Sequence, residues 1–126
     1  SGAADDAYDA GRALHPVDPA LAEPWFDRIP ESRRASYPRL AYYAAQRALT
    51  AGAQGQALRD VYTALADFLV TAEGRSYPGG HELASRVAWQ LGDRSAARGH
   101  ADADADQRVQ RAQPHLRRAR TALEAR

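Results

Sequence analysis

The chain has 126 residues, a formal net charge of +1, 44% hydrophobic and 26% charged residues, and no cysteine. That length gives one domain with a core, and the apolar fraction is too high for a disordered chain. Disulfide frameworks and thiolate metal sites are excluded, and so balanced a charge does not by itself direct the chain to nucleic acid or membrane.

All 17 basic residues are Arg, while Lys, Asn and Met are absent. Arg for Lys together with abundant Ala follows GC-rich coding before it follows phosphate binding. No apolar run reaches the length of a membrane span and no signal-peptide core is visible, so the expected location is cytoplasmic. The start at Ser1-Gly2 without Met fits a processed chain or an excised domain, read as one helical domain over 1–126.

In chain order, a helix is expected over 4–14, stopped before His15-Pro16. A shorter one follows at 19–29, interrupted by Pro24 and closed by Pro30. Residues 30–38 read as a loop, since Pro38 also restricts Tyr37. Arg39–Ala51 form an Ala-rich helix with Leu40, Tyr43, Ala44 and Ala48 on one face, ended by Gly52. The strongest period comes next: Leu58, Val61, Tyr62, Leu65, Phe68 and Leu69 recur in steps of three and four, one apolar stripe on a helix over 56–73 capped by Gly74. Tyr77–Gly80 is a loop. His81–Leu91 is a helix with Leu83, Ala84, Val87, Ala88 and Leu91 inward. Gly92-Asp93 breaks the chain before a helix at 94–112, and Pro114 starts a last one at 114–125. No stretch alternates as a strand does, so the fold class is all-α.

Two segments superpose with a shift of 40 residues: Ala45, Gly52, Ala57 and Ala64 on Ser85, Gly92, Ala97 and Asp104. Antiparallel helices approach closely where small residues meet, and a tight turn needs a residue tolerant of positive φ. This spacing resembles the tetratricopeptide repeat, a helix-hairpin array. Leu91–Arg98 look like that family's turn into its second helix, and Ala7–Pro16 like the end of a second helix. A repeat of about 34 residues is usual, so the longer spacing implies an enlarged connection around Glu73–Gly80.

The resemblance implies antiparallel helix hairpins with Ala45, Ala57 and Ala64 at the closest approaches. First helices line the concave face of such arrays. Carried over, Arg39, Tyr42, Gln46 and Leu49, with Glu82, Arg86, Trp89 and Gln90, would line a partner-binding groove. The family's carboxylate-clamping Lys and Asn have no counterpart, which argues against capture of a peptide C-terminus by that clamp. The function expected is a protein- or peptide-binding module of regulatory or scaffolding kind. The alternative fold is a helical bundle, with a small molecule held among Trp25, Phe26, Tyr42, Tyr43 and Trp89.

Chemistry finds little support. His15, His81, His100 and His115 are isolated along the sequence and match no metal spacing. Asp102, Asp104 and Asp106 lack the Gly and Glu of a calcium loop and read as a solvated helix face. Nucleophile elbows, phosphate loops and glycine-rich cofactor turns are missing, so neither enzyme chemistry nor a cofactor or metal is expected. Residues 107–126 hold six Arg against one acid, Glu124. That is a possible phosphate contact, but Leu116, Ala119 and Leu123 equally mark an amphipathic helix.

Overall fold

The structure, a computed structural model, describes residues 2–125. The described residues form helices joined by turns, with no strand: α1 (Gly2–Leu14), α2 (Pro19–Phe26), a 3-10 turn (Glu31–Ser36), α3 (Leu40–Thr50), α4 (Gly55–Leu69), α5 (Ala72–Arg75), α6 (Gly80–Gln90) and α7 (Arg94–Glu124). The all-α reading holds. The chain divides into two compact units, one up to Leu40 and one from Ala41.

In the first unit, α1 turns a stripe of small residues, Ala4, Ala7 and Gly11, into the interior, where Ala22, Phe26 and Ile29 are also buried. Gly11 is there for space: a Cβ on it would lie 2.2 Å from the Phe26 ring. Asp18 starts α2 by accepting from the Ala20 N–H at 3.0 Å, with Pro19 in the first turn, where its missing N–H costs nothing. The segment expected as a loop after Pro30 instead makes the 3-10 turn, and Arg34 Nη2 donates to the Phe26 carbonyl at 2.9 Å. Tyr37 then stacks on Tyr8 with centroids 4.5 Å apart and its hydroxyl donates to Asp5.

The second unit has one core, built from Ala45, Leu58, Leu65, Phe68, Leu69, Leu83, Ala84 and Val87. The expected α4 stripe is the one buried: Leu58, Leu65, Phe68 and Leu69 are inside, with Val61 and Tyr62 half-buried against them. The inward face of α6 is likewise as expected, with Leu83, Ala84, Val87 and Ala88 buried. For α3 the expected face is rotated. Ala44 is exposed, and Ala41, Tyr42, Ala45 and Leu49 meet the core instead.

α2 is not interrupted by Pro24 as expected but runs through it and ends at Phe26, and in the second unit α4 and α7 end elsewhere than expected. α4 stops at Leu69 because Thr71 intervenes: its hydroxyl donates to the Phe68 carbonyl at 2.6 Å and accepts from the Gly74 N–H at 3.0 Å, closing one helix and opening the next. Gly74 is therefore no left-handed cap. It lies against the chain, where a Cβ would stand 1.8 Å from the Phe68 carbonyl oxygen. Finally, α7 runs unbroken through Pro114, about 46 Å long at 1.5 Å per residue. The proline forfeits one hydrogen bond, and the helix continues on both sides of it.

The most extensive helix packing in this unit is between α6 and α7, followed by α4 with α6. Gly92, at φ +81°, makes the α6–α7 turn. Across it Ser85 Oγ donates to the Ala97 carbonyl at 2.7 Å, and Ala84, Ala88 and Ala97 are buried, so small residues do sit where these two helices meet. In α4 the expected register fails: Ala45 is fully buried, but Ala57 and Ala64 are exposed. The large residues of α4 take the core face and displace the small ones to solvent. Among the described residues, no helix is long and apolar enough to cross a membrane.

Candidate functional site

The C-terminal end of α3, the turn after it and the outer side of α6 enclose an open depression of about 520 Å³. Leu49 and the turn residues Gly52, Ala53 and Gln54 form one wall; Ser85, Arg86, Trp89 and Gln90 form the other. Gly52 supports this shape with φ +73°, a left-handed conformation that reverses the chain just beyond α3. On α6, positions 85, 86, 89 and 90 follow the helical step opposite Val87 and Ala88, so burying one side commits the other to the depression. Trp89 is 59% exposed, and the Arg94 guanidinium lies 5.5 Å from its ring centroid.

Of the eight residues expected to line a groove, four are brought together here: Leu49, Arg86, Trp89 and Gln90. The others are placed differently. Tyr42 turns its ring to Tyr77, 4.8 Å away edge-on, because the α3 core face includes it. Its hydroxyl pKa is raised by burial first and then by Glu82, with Arg86 opposing. Glu82 is drawn to α7 by Arg108, 3.0 Å away. Gln46 is half-buried, and its Oε1 has no hydrogen-bond partner. Arg39 belongs to the first unit and precedes α3. Ser85 and the turn residues 52–54 were missed as lining, since the sequence pattern marked them only as a small residue and a break.

A second polar group links three helices. Tyr62 of α4 and His100 of α7 are hydrogen-bonded through the hydroxyl and Nε2 at 2.8 Å, and His100 Nδ1 lies 3.0 Å from Nδ1 of His81 on α6. Burial holds the His100 pKa below its ordinary 6.5, and His81 lowers it further. His81 and His100 are far apart in sequence but nearly equidistant from the Leu91–Gly92 turn, the one signal that could have paired them.

The acidic run expected to be solvated is not uniformly so: Asp104 is 8% exposed, and its Oδ2 is 2.9 Å from Arg108 Nε. Asp104 shares with Ala97 and His100 the side of α7 turned to α6, whereas Asp102 and Asp106 stay exposed. Among the described residues no three His, Cys, Asp or Glu side chains cluster closely enough to hold a metal ion. Of the proposed aromatic pocket, Trp25 and Phe26 fall in the first unit and Tyr42, Tyr43 and Trp89 in the second. Trp25 carries Arg28 over its ring at 4.3 Å.

Comparison of the chain with protein-family models, curated proteins and solved structures returns no match.

Proposed function

We propose that the chain is a protein-interaction module whose second unit holds an extended peptide segment against α6. The observation that carries this reading is Trp89, a large aromatic left 59% exposed on the rim of a depression that also offers Leu49 and Arg86. Trp and Arg are the residues most enriched at binding hot spots, because each offers a broad apolar area together with directed hydrogen bonds. Leu49 and the indole accept an apolar side chain. Arg86 and Arg94 supply positive charge on either side of it, so the favoured segment pairs an apolar residue with a nearby carboxylate. The tetratricopeptide-like reading is supported by the α6–α7 hairpin, with its Gly92 turn and small residues at the contact.

The depression is open, which suits a chain segment lying across it better than an enclosed metabolite. Selection of a displayed peptide library on the immobilised chain tests this. The expected result is a family of peptides with an apolar–acidic pair whose binding is lost in Trp89→Ala and weakened in Arg86→Ala. Peptides that bind both variants as well as the parent chain would overturn the proposal.

A further inference from the structure

α7 is the longest helix of the second unit, yet little of it enters the interior. Of its 31 residues only Ala97 and Asp104 are buried, and the core cluster of α3, α4 and α6 includes none of them. Ala96, His100, Ala103 and Gln107 are half-buried beside these two, so no apolar side chain larger than Ala is turned inward. Polar contacts do the fastening. Ser85 Oγ donates to the Ala97 carbonyl at 2.7 Å, His100 meets Tyr62 and His81, Arg108 meets Glu82, and Gln107 Nε2 donates to the Arg75 carbonyl at 2.6 Å. A helix held this way, with little apolar area behind it, opens at a lower free energy than the core does.

His100 faces two elements at once, α4 through Tyr62 and α6 through His81. When the pair is neutral, one Nδ1 donates to the other across 3.0 Å. One added proton is tolerated, because a donor and a lone pair still meet. A second leaves two N–H groups and two positive charges facing each other with no lone pair between them. No carboxylate bonds to either ring among the described residues: Glu82, next to His81, and Asp104, one turn beyond His100, are both held by Arg108. Asp93, at the turn, acts on the Tyr62 hydroxyl, whose pKa is raised by burial first. Once α7 is released, water solvates both imidazolium ions separately. The open form therefore binds more protons, and acid favours it. The lowering of the His100 pKa, by burial and then by His81, has the same sign.

We propose that the His81–His100 contact is an acid-sensitive latch: between about pH 6 and 5, α7 swings away from α6 about the Gly92 turn while the core of α3, α4 and α6 stays folded. Gly92 suits a hinge, with φ +81° and nothing within 4 Å of an added Cβ. Asp93 goes on accepting from the Ala96 N–H, so α7 moves as a helix. The latch does not depend on the reading of the Trp89 depression.

The chain has no cysteine, so Ala64→Cys on α4 and Ala112→Cys on α7, both at exposed positions, allow two nitroxide labels in the full chain. Pulsed electron resonance should give a narrow distance distribution at pH ~7.5 and a broader, longer one at pH ~5. Over the same range the α7 amides should lose protection from hydrogen exchange, after correction for intrinsic rates, while those of Leu65 and Phe68 keep theirs. His100→Gln and His81→Gln each remove the second charge and should keep the narrow distribution at the lower pH. If His100→Gln is already open at neutral pH, His81→Gln decides by the same comparison. An unchanged distribution in the parent chain, or a closed His81→Gln variant that opens on acidification as the parent does, would overturn the proposal. So would loss of protection at Leu65 and Phe68 in step with α7, which is unfolding and not a latch.

Discussion

The Nδ1 atoms of His81 and His100 lie 3.0 Å apart, so one imidazole must present a proton and the other a lone pair. Burial and the neighbouring His81 lower the His100 pKa in the fold. The unfolded chain therefore binds this proton more readily than the folded one. Stability from this contact is fully present above the ordinary value of 6.5 and is lost as pH falls below it. Urea melts of the parent chain should show a midpoint that declines from neutral pH to pH ~5, and His100→Phe should flatten that decline. A decline of equal slope in the variant would place the acid sensitivity elsewhere.

Tyr62→Phe isolates the other end of the same chain of contacts. It leaves His100 Nε2 without its 2.8 Å partner and should cost about 1 kcal/mol in the same melts. A neutral result would mean that water replaces the hydroxyl fully.

Arg108 holds both Glu82, at 3.0 Å, and the nearly buried Asp104, at 2.9 Å. The two ends of this network are unequal. Removing the cation strands a buried carboxylate, at a cost of about 1–3 kcal/mol. Removing the carboxylate leaves Arg108 paired with Glu82 in solvent, where such a pair contributes about 0–1 kcal/mol. Denaturation of Arg108→Ala and Asp104→Ala should therefore rank the former as clearly less stable, with the double variant close to Asp104→Ala.

Gly74 tolerates no side chain where it lies against the Phe68 carbonyl, so Gly74→Ala must shift backbone. Thermal unfolding should place its loss at about 3 kcal/mol or beyond, at the upper end for overpacking. Gly99→Ala, with nothing within 4 Å of the added carbon, should be neutral or slightly stabilising on a helix. If the two glycines behaved alike, the Thr71 turn would be misplaced.

Ala57→Leu and Ala45→Leu separate the observed register from the one the repeat spacing suggested. Ala45 is wholly buried and Ala57 exposed. Ala45→Leu should cost about 1–3 kcal/mol and Ala57→Leu within about 0.5 kcal/mol, by chemical denaturation. The reverse order would restore the spacing-based register.

Strong apolar periods decided α4 and α6 correctly, because burial of Leu58, Leu65, Leu83 and Val87 outweighs any competing preference. In Ala-rich α3 the faces differ little in hydrophobicity, so Tyr42 and Leu49, not local pattern, set the rotation. Pro114 read as a helix start because an exposed helix can lose one hydrogen bond without a visible mark in the sequence. Half of the expected groove came together because Arg86, Trp89 and Gln90 lie opposite the well-defined core face of α6, while Leu49, at the edge of the α3 core face, borders the same depression. Glu82 and Tyr42 were claimed by partners, Arg108 and Tyr77, that only the tertiary structure supplies.

The proposed peptide site at Trp89 can be watched directly in solution. The most direct measurement is a nitrogen–proton correlation spectrum of the full chain titrated with a peptide selected on it, the two indole signals being assigned through Trp25→Phe. Binding in the depression should shift the Trp89 indole and the amides of Leu49, Ala53 and Ser85, and leave the Trp25 indole and the amides beyond Val109 unmoved. Binding that left the Trp89 indole in place and moved signals elsewhere would contradict it.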